Sequence, residues 1–272
     1  MHFKRVLSTI GVGLAVAQAT PIRDSIQEPI STDPASGTGS EEHQNQPTKY
    51  FHESSFSVNY DPRFASAALN STAQSDAVKV LVQTYLSTFR DLSIQTWPAH
   101  GTLLGWWWNK QLLPWDAKPT VQVSNDDINF LAAYHNMTTW YFKYPKIPAG
   151  RSFQLEVNPN YVNGRQDDGA NTVDARWIDM ENGLFIDIMA VRYVKDDSEG
   201  EGVLASKDGH EFRNTYLYPL LETTFEGVKT KIPYKYKEML VAEYGKDVLI
   251  RKNIKGHTFV DSDMKWIPNE EL

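Results

Sequence analysis

The sequence predicts a domain of α+β or α/β class, because helical and strand patterns alternate along most of it. Between residues 75 and 92 the apolar side chains recur at helical spacing. Residues 120–123 alternate polar and apolar, as a half-buried strand does. Further on, Asn182-Gly183 separates two apolar runs in the manner of a hairpin turn. The chain has 272 residues, 41% of them hydrophobic and 12% aromatic. That is enough for one domain with a sizeable core.

In chain order, the first segment reads as a secretory signal over residues 1–19. His2-Phe3-Lys4-Arg5 is a short basic start, Val6 to Val16 is apolar, and Ala17-Gln18-Ala19 fits a small-x-small cleavage site. The mature chain then begins near Thr20. An uncleaved signal anchor is the alternative, although the apolar run falls short of the roughly 20 residues that span a bilayer. Residues 20–48 are rich in Ser, Thr, Pro, Gln, Glu and Gly. They bury too little apolar surface to offset ordering entropy and read as a flexible leader. The folded domain is expected over 49–272.

Within it, Val78, Leu81, Val82, Tyr85, Leu86, Phe89 and Leu92 form one face of a helix over about 75–92, capped by Ser75 or Asp76. A short strand over 94–97 leads into a turn at Gly101-Thr102. Ser124-Asn125-Asp126-Asp127 reads as the cap and acidic first turn of a helix reaching Tyr134. Residues 153–157 read as a strand, and 175–179 with 184–191 as a hairpin. Glu226-Gly227 parts two short strands, and Pro233 opens a helix that stops at Gly245. Residues 254–272 show little periodicity.

Charge and composition narrow the function. The net charge is −7 with pI about 5.5, so no basic surface points to nucleic acid. After signal cleavage no further run of spanning length remains, so no membrane span is expected. There is no cysteine, and stability has to come from the core. The sequons Asn70-Ser71-Thr72 and Asn136-Met137-Thr138 make Asn70 and Asn136 candidate glycosylation sites. With the signal, they indicate the secretory pathway, either a Golgi lumen or secretion.

Several residues carry possible chemistry. Gly101 permits close backbone approach and the Thr102 hydroxyl can bond a phosphate oxygen; an ordinary tight turn is the alternative. Asp187 lies in the otherwise apolar run Leu184–Val191. A carboxylate there needs a cation, a donor or solvent: a metal site or a structural ion pair. Arg176 can clamp phosphate with its planar fork or pair with Asp174, Asp179 or Asp187 as scaffold. His100 can act as a base, bond a substrate, or sit satisfied in the structure. Trp106-Trp107-Trp108 and Trp115 can stack on a sugar or base, or fill the core. Asp126 and Asp127 suit a helix dipole better than a metal.

Taken in order, these segments resemble one family. They are Tyr60-Asp61-Pro62-Arg63-Phe64, Thr88-Phe89-Arg90-Asp91, Trp97 through Ala99-His100-Gly101-Thr102-Leu103-Leu104-Gly105 to Pro114-Trp115-Asp116, Asn158–Val162, Asp174–Asp179, Gly183–Ile188, Tyr218-Pro219-Leu220 and Phe225-Glu226-Gly227. The chain resembles the LicD/fukutin-type nucleotidyltransferases, and most of all the fungal branch linked to mannosylphosphate transfer, over about residues 56–247. The resemblance implies an α+β, nucleotidyltransferase-like mixed sheet flanked by helices. It implies transfer of a phosphate-linked group from a nucleotide sugar to a glycan acceptor, with Mg²⁺ or Mn²⁺ as cofactor. In active relatives an Asp-x-Asp pair follows Pro-Trp-Asp, and a later strand adds a third carboxylate, here Asp187. This chain keeps Asp116 and Asp187 as candidate catalytic and metal-binding residues, and His100, Gly101, Thr102 and Arg176 as candidate substrate contacts. The paired positions hold Lys118 and Thr120, and Pro119 interrupts the strand. A protonated lysine repels a divalent ion and cannot ligate it. Three readings follow: an active transferase with rearranged metal ligands, including Asp179; a metal-free pseudoenzyme that binds nucleotide, sugar or partner; or an accessory protein of a partner glycosyltransferase.

Overall fold

The computed structural model describes residues 4–6, 48–164, 169–194 and 202–271. The expected signal and leader lie outside the described residues, apart from 4–6 and residue 48. In chain order the strands and helices are β1 (Lys4–Val6), α1 (Ser71–Asp91), β2 (Thr96–Pro98), α2 (His100–Asn109), β3 (Thr120–Ser124), α3 (Asn125–Tyr134), β4 (Thr138–Tyr144), β5 (Ile147–Val157), β6 (Ala175–Asp179), β7 (Phe185–Val194), β8 (Val203–Ala205), β9 (Glu211–Arg213), α4 (Asn214–Leu217), β10 (Leu221–Phe225), β11 (Val228–Ile232), α5 (Tyr236–Tyr244), β12 (Asn253–Ile254), β13 (His257–Val260) and β14 (Lys265–Pro268). The class is α+β, with helices against a mixed sheet of order β1-β4-β5-β6-β7-β3-β2, extended from β7 through β8 to β9.

α1 forms where the apolar periodicity places it, but starts earlier than expected. Asn70 caps it by accepting a hydrogen bond from the Ala73 N–H at 2.9 Å. An Asn side chain satisfies one of the orphan donors of the first turn, so Ser75 and Asp76 fall inside the helix. Its buried face, including Leu81, Tyr85 and Phe89, packs on β6, β7 and β11. Trp177 on β6 donates from its indole to Thr84 Oγ1 at 3.3 Å, joining helix and sheet. α3 begins where its acidic first turn predicts, with Ser124 capping the Asp127 N–H at 3.1 Å.

β6 and β7 form the expected hairpin. Gly183 sits at its turn with φ +77°, and a Cβ there would lie 2.7 Å from that of Ala65. The β10–β11 hairpin also forms as expected. α5 starts at Tyr236 rather than at Pro233, and Gly245 closes it. The stretch expected to begin a turn at Gly101-Thr102 is instead the first turn of α2. Gly105 inside that helix is sterically required. A Cβ there would meet the Gln111 carbonyl oxygen at 2.5 Å, so glycine lets the chain cross close behind the helix.

The late chain departs most from its sequence reading. Residues 253–268 build a three-stranded antiparallel sheet, β12-β13-β14. Phe259 and Trp266 from it enclose Trp108, with ring centroids 4.7 and 5.0 Å away. Trp106 and Trp108 are buried, and the Trp115 ring meets Trp266 at 5.1 Å. These strands are short, and their apolar residues are recruited by the tryptophans of α2 rather than by a pattern of their own. No helix among the described residues is long and apolar enough to cross a membrane.

Candidate functional site

The site lies where β3, β7 and β6 run side by side. β3 and β7 are parallel with Thr120 opposite Asp187, and β6 and β7 are antiparallel with Arg176 opposite Asp187. Residues directly opposite one another share a sheet face. Thr120, Asp187 and Arg176 therefore form one row. Pro119 stands just before β3, and its carbonyl accepts the Asp187 N–H at 3.1 Å. The ladder thus continues past a residue that has no N–H of its own to offer.

Asp187 is buried, and both of its oxygens are taken by cations of the chain itself. Arg176 Nε donates to Oδ1 at 2.8 Å, and Lys118 Nζ lies 2.8 Å from Oδ2. The Arg176 guanidinium reaches on to Glu53 Oε1 at 2.7 Å and the His52 carbonyl at 3.4 Å. It stacks over Phe185, 3.7 Å from guanidinium carbon to ring centroid, and near Phe51 at 4.7 Å. Burial acts to raise the Glu53 carboxyl, but Lys49 and Arg176 overcome it and hold the group below its usual range.

Asp116 sits beside the start of α2. Its Oδ2 accepts from Thr102 Oγ1 at 3.3 Å, and Thr102 Oγ1 accepts the Thr120 N–H at 2.9 Å. The Thr102 hydroxyl is therefore engaged on both sides and buried. A Cβ on Gly101 would lie 3.6 Å from Asp116 Oδ2, which is ordinary contact. Burial pushes the Asp116 carboxyl up to about 6, against the hydrogen bonds from Thr102 and the Lys118 backbone. A carboxyl whose folded pKa exceeds its unfolded value near 3.8 favours folding only while protonated. Stability then falls as pH rises from about 3.8 to 6 and is flat above. Asp116→Asn is expected to raise stability at neutral pH by about 1–2 kcal/mol, allowing for partial exposure, with the gain shrinking towards pH 4. Thermal melts of both proteins across that range check this; a gain that persists undiminished at pH 4 contradicts it.

Asp179, the other carboxylate considered for a rearranged metal, is elsewhere. It ends β6 three residues beyond Arg176, an odd step that turns its side chain to the opposite face. There it pairs with Arg151 at 2.8 Å and binds Asn182 and the Glu181 N–H in the hairpin turn. Asp174 is likewise structural, held by Lys207 and Arg192 at 2.9 Å each. Asp126 and Asp127 occupy the first turn of α3. The sequon residues Asn70 and Asn136 are exposed.

His100 opens α2 with a left-handed backbone, φ +52°. Its Nδ1 lies 2.9 Å from Glu243 Oε1 on α5, and its Nε2 lies 3.0 Å from Asp208 Oδ2, off the line of a good hydrogen bond. Burial alone would lower the imidazole, but the two carboxylates raise it to about 9. Burial tends to raise the Asp208 and Glu243 carboxyls; His100 outweighs this and leaves both below their usual range. His210 joins the group, with Nδ1 2.9 Å from Asp208 Oδ2 and its ring 4.5 Å from that of His100. Sequence reasoning missed Asp208, His210, Glu243 and Glu53. Asp208 and His210 share the turn-like Asp208-Gly209-His210, which offers the only local hint, and Glu243 and Glu53 stand far from it in the chain.

A divalent ion does not fit the position that the resemblance implies. The ammonium of Lys118 already sits against Asp187, and Thr120 faces that carboxylate without a charge. An added ion would have to displace one cation and face the other.

A mixed sheet carrying a central strand carboxylate, with a Gly-Thr helix start beside it, defines a nucleotidyltransferase-type domain. The sequence pattern of the LicD/FKTN/FKRP nucleotidyltransferase domain matches residues 93–235, and the chain belongs to that family. Among curated proteins it is similar to mannosyltransferase regulator 14 of Saccharomyces cerevisiae, 27% identical over 170 residues, covering 58% of this chain and 17% of that protein. It is also similar to mannosyltransferase regulator 4 of the same yeast, 32% identical over 108 residues, covering 40% of this chain and 9% of that protein. The chain thus spans less than a fifth of the length of these relatives.

Proposed function

We propose that this chain is a LicD-family protein whose Asp187 position works without a metal, and that it regulates mannosyl or mannosylphosphate transfer to glycans in the secretory pathway, acting on a partner glycosyltransferase rather than turning over a nucleotide sugar itself. The observation that carries this is the Lys118 ammonium 2.8 Å from Asp187, with Arg176 on the other oxygen. In metal-assisted phosphoryl transfer the cation neutralises charge that develops on the phosphate oxygens. Here the Asp187 carboxylate is neutralised by two cations of the chain itself, buried Arg176 and half-buried Lys118, which between them take both of its oxygens. The similarity to two proteins named as mannosyltransferase regulators supports a regulatory over a catalytic role.

The test is calorimetric titration of the full chain with Mn²⁺ in the presence of a nucleotide sugar. Wild type is expected to show no Mn²⁺ binding that depends on Asp187. Lys118→Asp with Thr120→Asp restores the carboxylate pair and is expected to strengthen Mn²⁺ binding by at least about 100-fold, the scale of a few added carboxylate ligands. Tight Mn²⁺ binding by wild type that is lost in Asp187→Asn would overturn the proposal and return the chain to the active transferases.

A further inference from the structure

We propose that His100, His210 and Glu243 form a binding site for a zinc-class transition metal, with Asp208 as the carboxylate that orients both imidazoles. Among the described residues these three offer ligand atoms that all lie within 4.8 Å of one another. They come from three separate places: the first turn of α2, the turn between β8 and β9, and the last turn of α5.

The orientation is the stronger part of the argument. Asp208 Oδ2 is hydrogen-bonded to His210 Nδ1 at 2.9 Å and makes an ion-pair contact with His100 Nε2 at 3.0 Å, off the hydrogen-bond line. This leaves His100 Nδ1 and His210 Nε2 directed towards the same oxygen, Glu243 Oε1, at 2.9 and 4.0 Å. Metal-bound histidines typically give their second ring nitrogen to a carboxylate, which sets tautomer and ring angle. A tetrahedral zinc with bonds of about 2.0–2.1 Å places neighbouring ligand atoms about 3.3 Å apart. The two distances from Glu243 straddle that value, and the site closes when side-chain shifts draw all three ligand atoms, now within 4.8 Å of one another, to it. Two imidazoles and a carboxylate suit zinc and its borderline neighbours better than Mg²⁺ or Ca²⁺, which prefer oxygen.

The three residues also line a cavity of about 550 Å³ together with Trp97, Arg213 and Tyr216. Three protein ligands facing a cavity leave a fourth coordination position open, the pattern of catalytic rather than structural zinc. In the metal-free arrangement His100 Nδ1–H donates to Glu243 Oε1; a bound metal replaces that proton. Lys118 and Asp187 take no part, so this inference stands apart from the proposed function.

The experiment uses the full chain, stripped with chelator and titrated with Co²⁺ while visible absorption is recorded, then back-titrated with Zn²⁺. The expected result is one Co²⁺ per chain with the intense bands of tetrahedral geometry, displaced by Zn²⁺. His210→Ala and Glu243→Gln are each expected to weaken binding at least about 100-fold, and Asp208→Asn about 10–100-fold. The His210 side chain is 43% exposed, so its loss spares the core, and circular dichroism verifies the fold. Absence of a tetrahedral Co²⁺ signal from the folded wild type, or unchanged affinity in a folded His210→Ala/Glu243→Gln chain, would overturn the proposal.

Discussion

Asp174→Ala is expected to lower stability by about 3–5 kcal/mol, the cost of leaving a buried charge without its partner. Asp174 is wholly buried, as is the ammonium of Lys207 that lies 2.9 Å from it. The same carboxylate accepts the Ala190 N–H at 2.8 Å and two bonds from Arg192. Without it, Arg192 keeps the carbonyls of Tyr161 and Ala190, but Lys207 keeps only the carbonyls of Asn160 and Asn171. A domain with total stability of about 5–15 kcal/mol has little room for such a loss. Denaturant melts measure it. Asp174→Leu combined with Lys207→Met should recover part of the deficit, because no buried ammonium is then left unpaired, while the Ala190 N–H and Arg192 still lose the carboxylate. A single-variant loss below about 1 kcal/mol would mean that Lys207 finds water or another acceptor.

Arg176→Met should cost a similar amount, again about 3–5 kcal/mol. The side chain is 1% exposed and bonds Asp187, Glu53 and the His52 carbonyl while stacking on Phe185. Its removal leaves Asp187 with Lys118 alone and releases the segment around Glu53 from the sheet. Asp187→Leu added to Arg176→Met should restore much of the loss, since the remaining Lys118 is about one-third exposed and can turn to water. The pair would then couple strongly, whereas independent residues add. Additive losses in a double-mutant cycle would show that the ion pair contributes no more than its separate parts. That result would also weaken the view that fixed cations have replaced a metal here.

Much of the fold was legible because local signals agree with tertiary demand. The apolar face of α1, the cap at Ser124 and the Asn182-Gly183 hairpin each follow from periodicity or turn chemistry, and each is where the sequence places it. Boundaries were less legible. Asn70 rather than Ser75 caps α1, a choice between polar residues that only the approach of the chain to the helix settles. The sheet β12-β13-β14 was illegible, because its strands are two to four residues long and gain their order from the rings of Trp108 and Trp115.

The candidate site divides in the same way. That Lys118 and Thr120 stand where the resemblance implies two carboxylates is legible in the sequence, and with it the local shortage of negative charge. Where Lys118 goes is a matter of tertiary placement: Thr120 lies opposite Asp187 across two parallel strands, and Lys118, in the bend just before β3, reaches that carboxylate at 2.8 Å. For Arg176 the sequence offered a phosphate clamp and, slightly favoured, a scaffold, and its burial against Glu53 and Phe185 is a packing outcome. The grouping of His100, Asp208, His210 and Glu243 depends wholly on tertiary structure, because 143 residues separate the first from the last.

By itself the sequence determined the family and the class of fold, and that positions 118 and 120 carry no carboxylate, since these rest on residue types in order and on periods of 2 and 3.6. Only the tertiary structure decided which charges meet. Ion pairs form between residues distant in the chain, and their partners are set by strand register and helix packing, which no local pattern encodes.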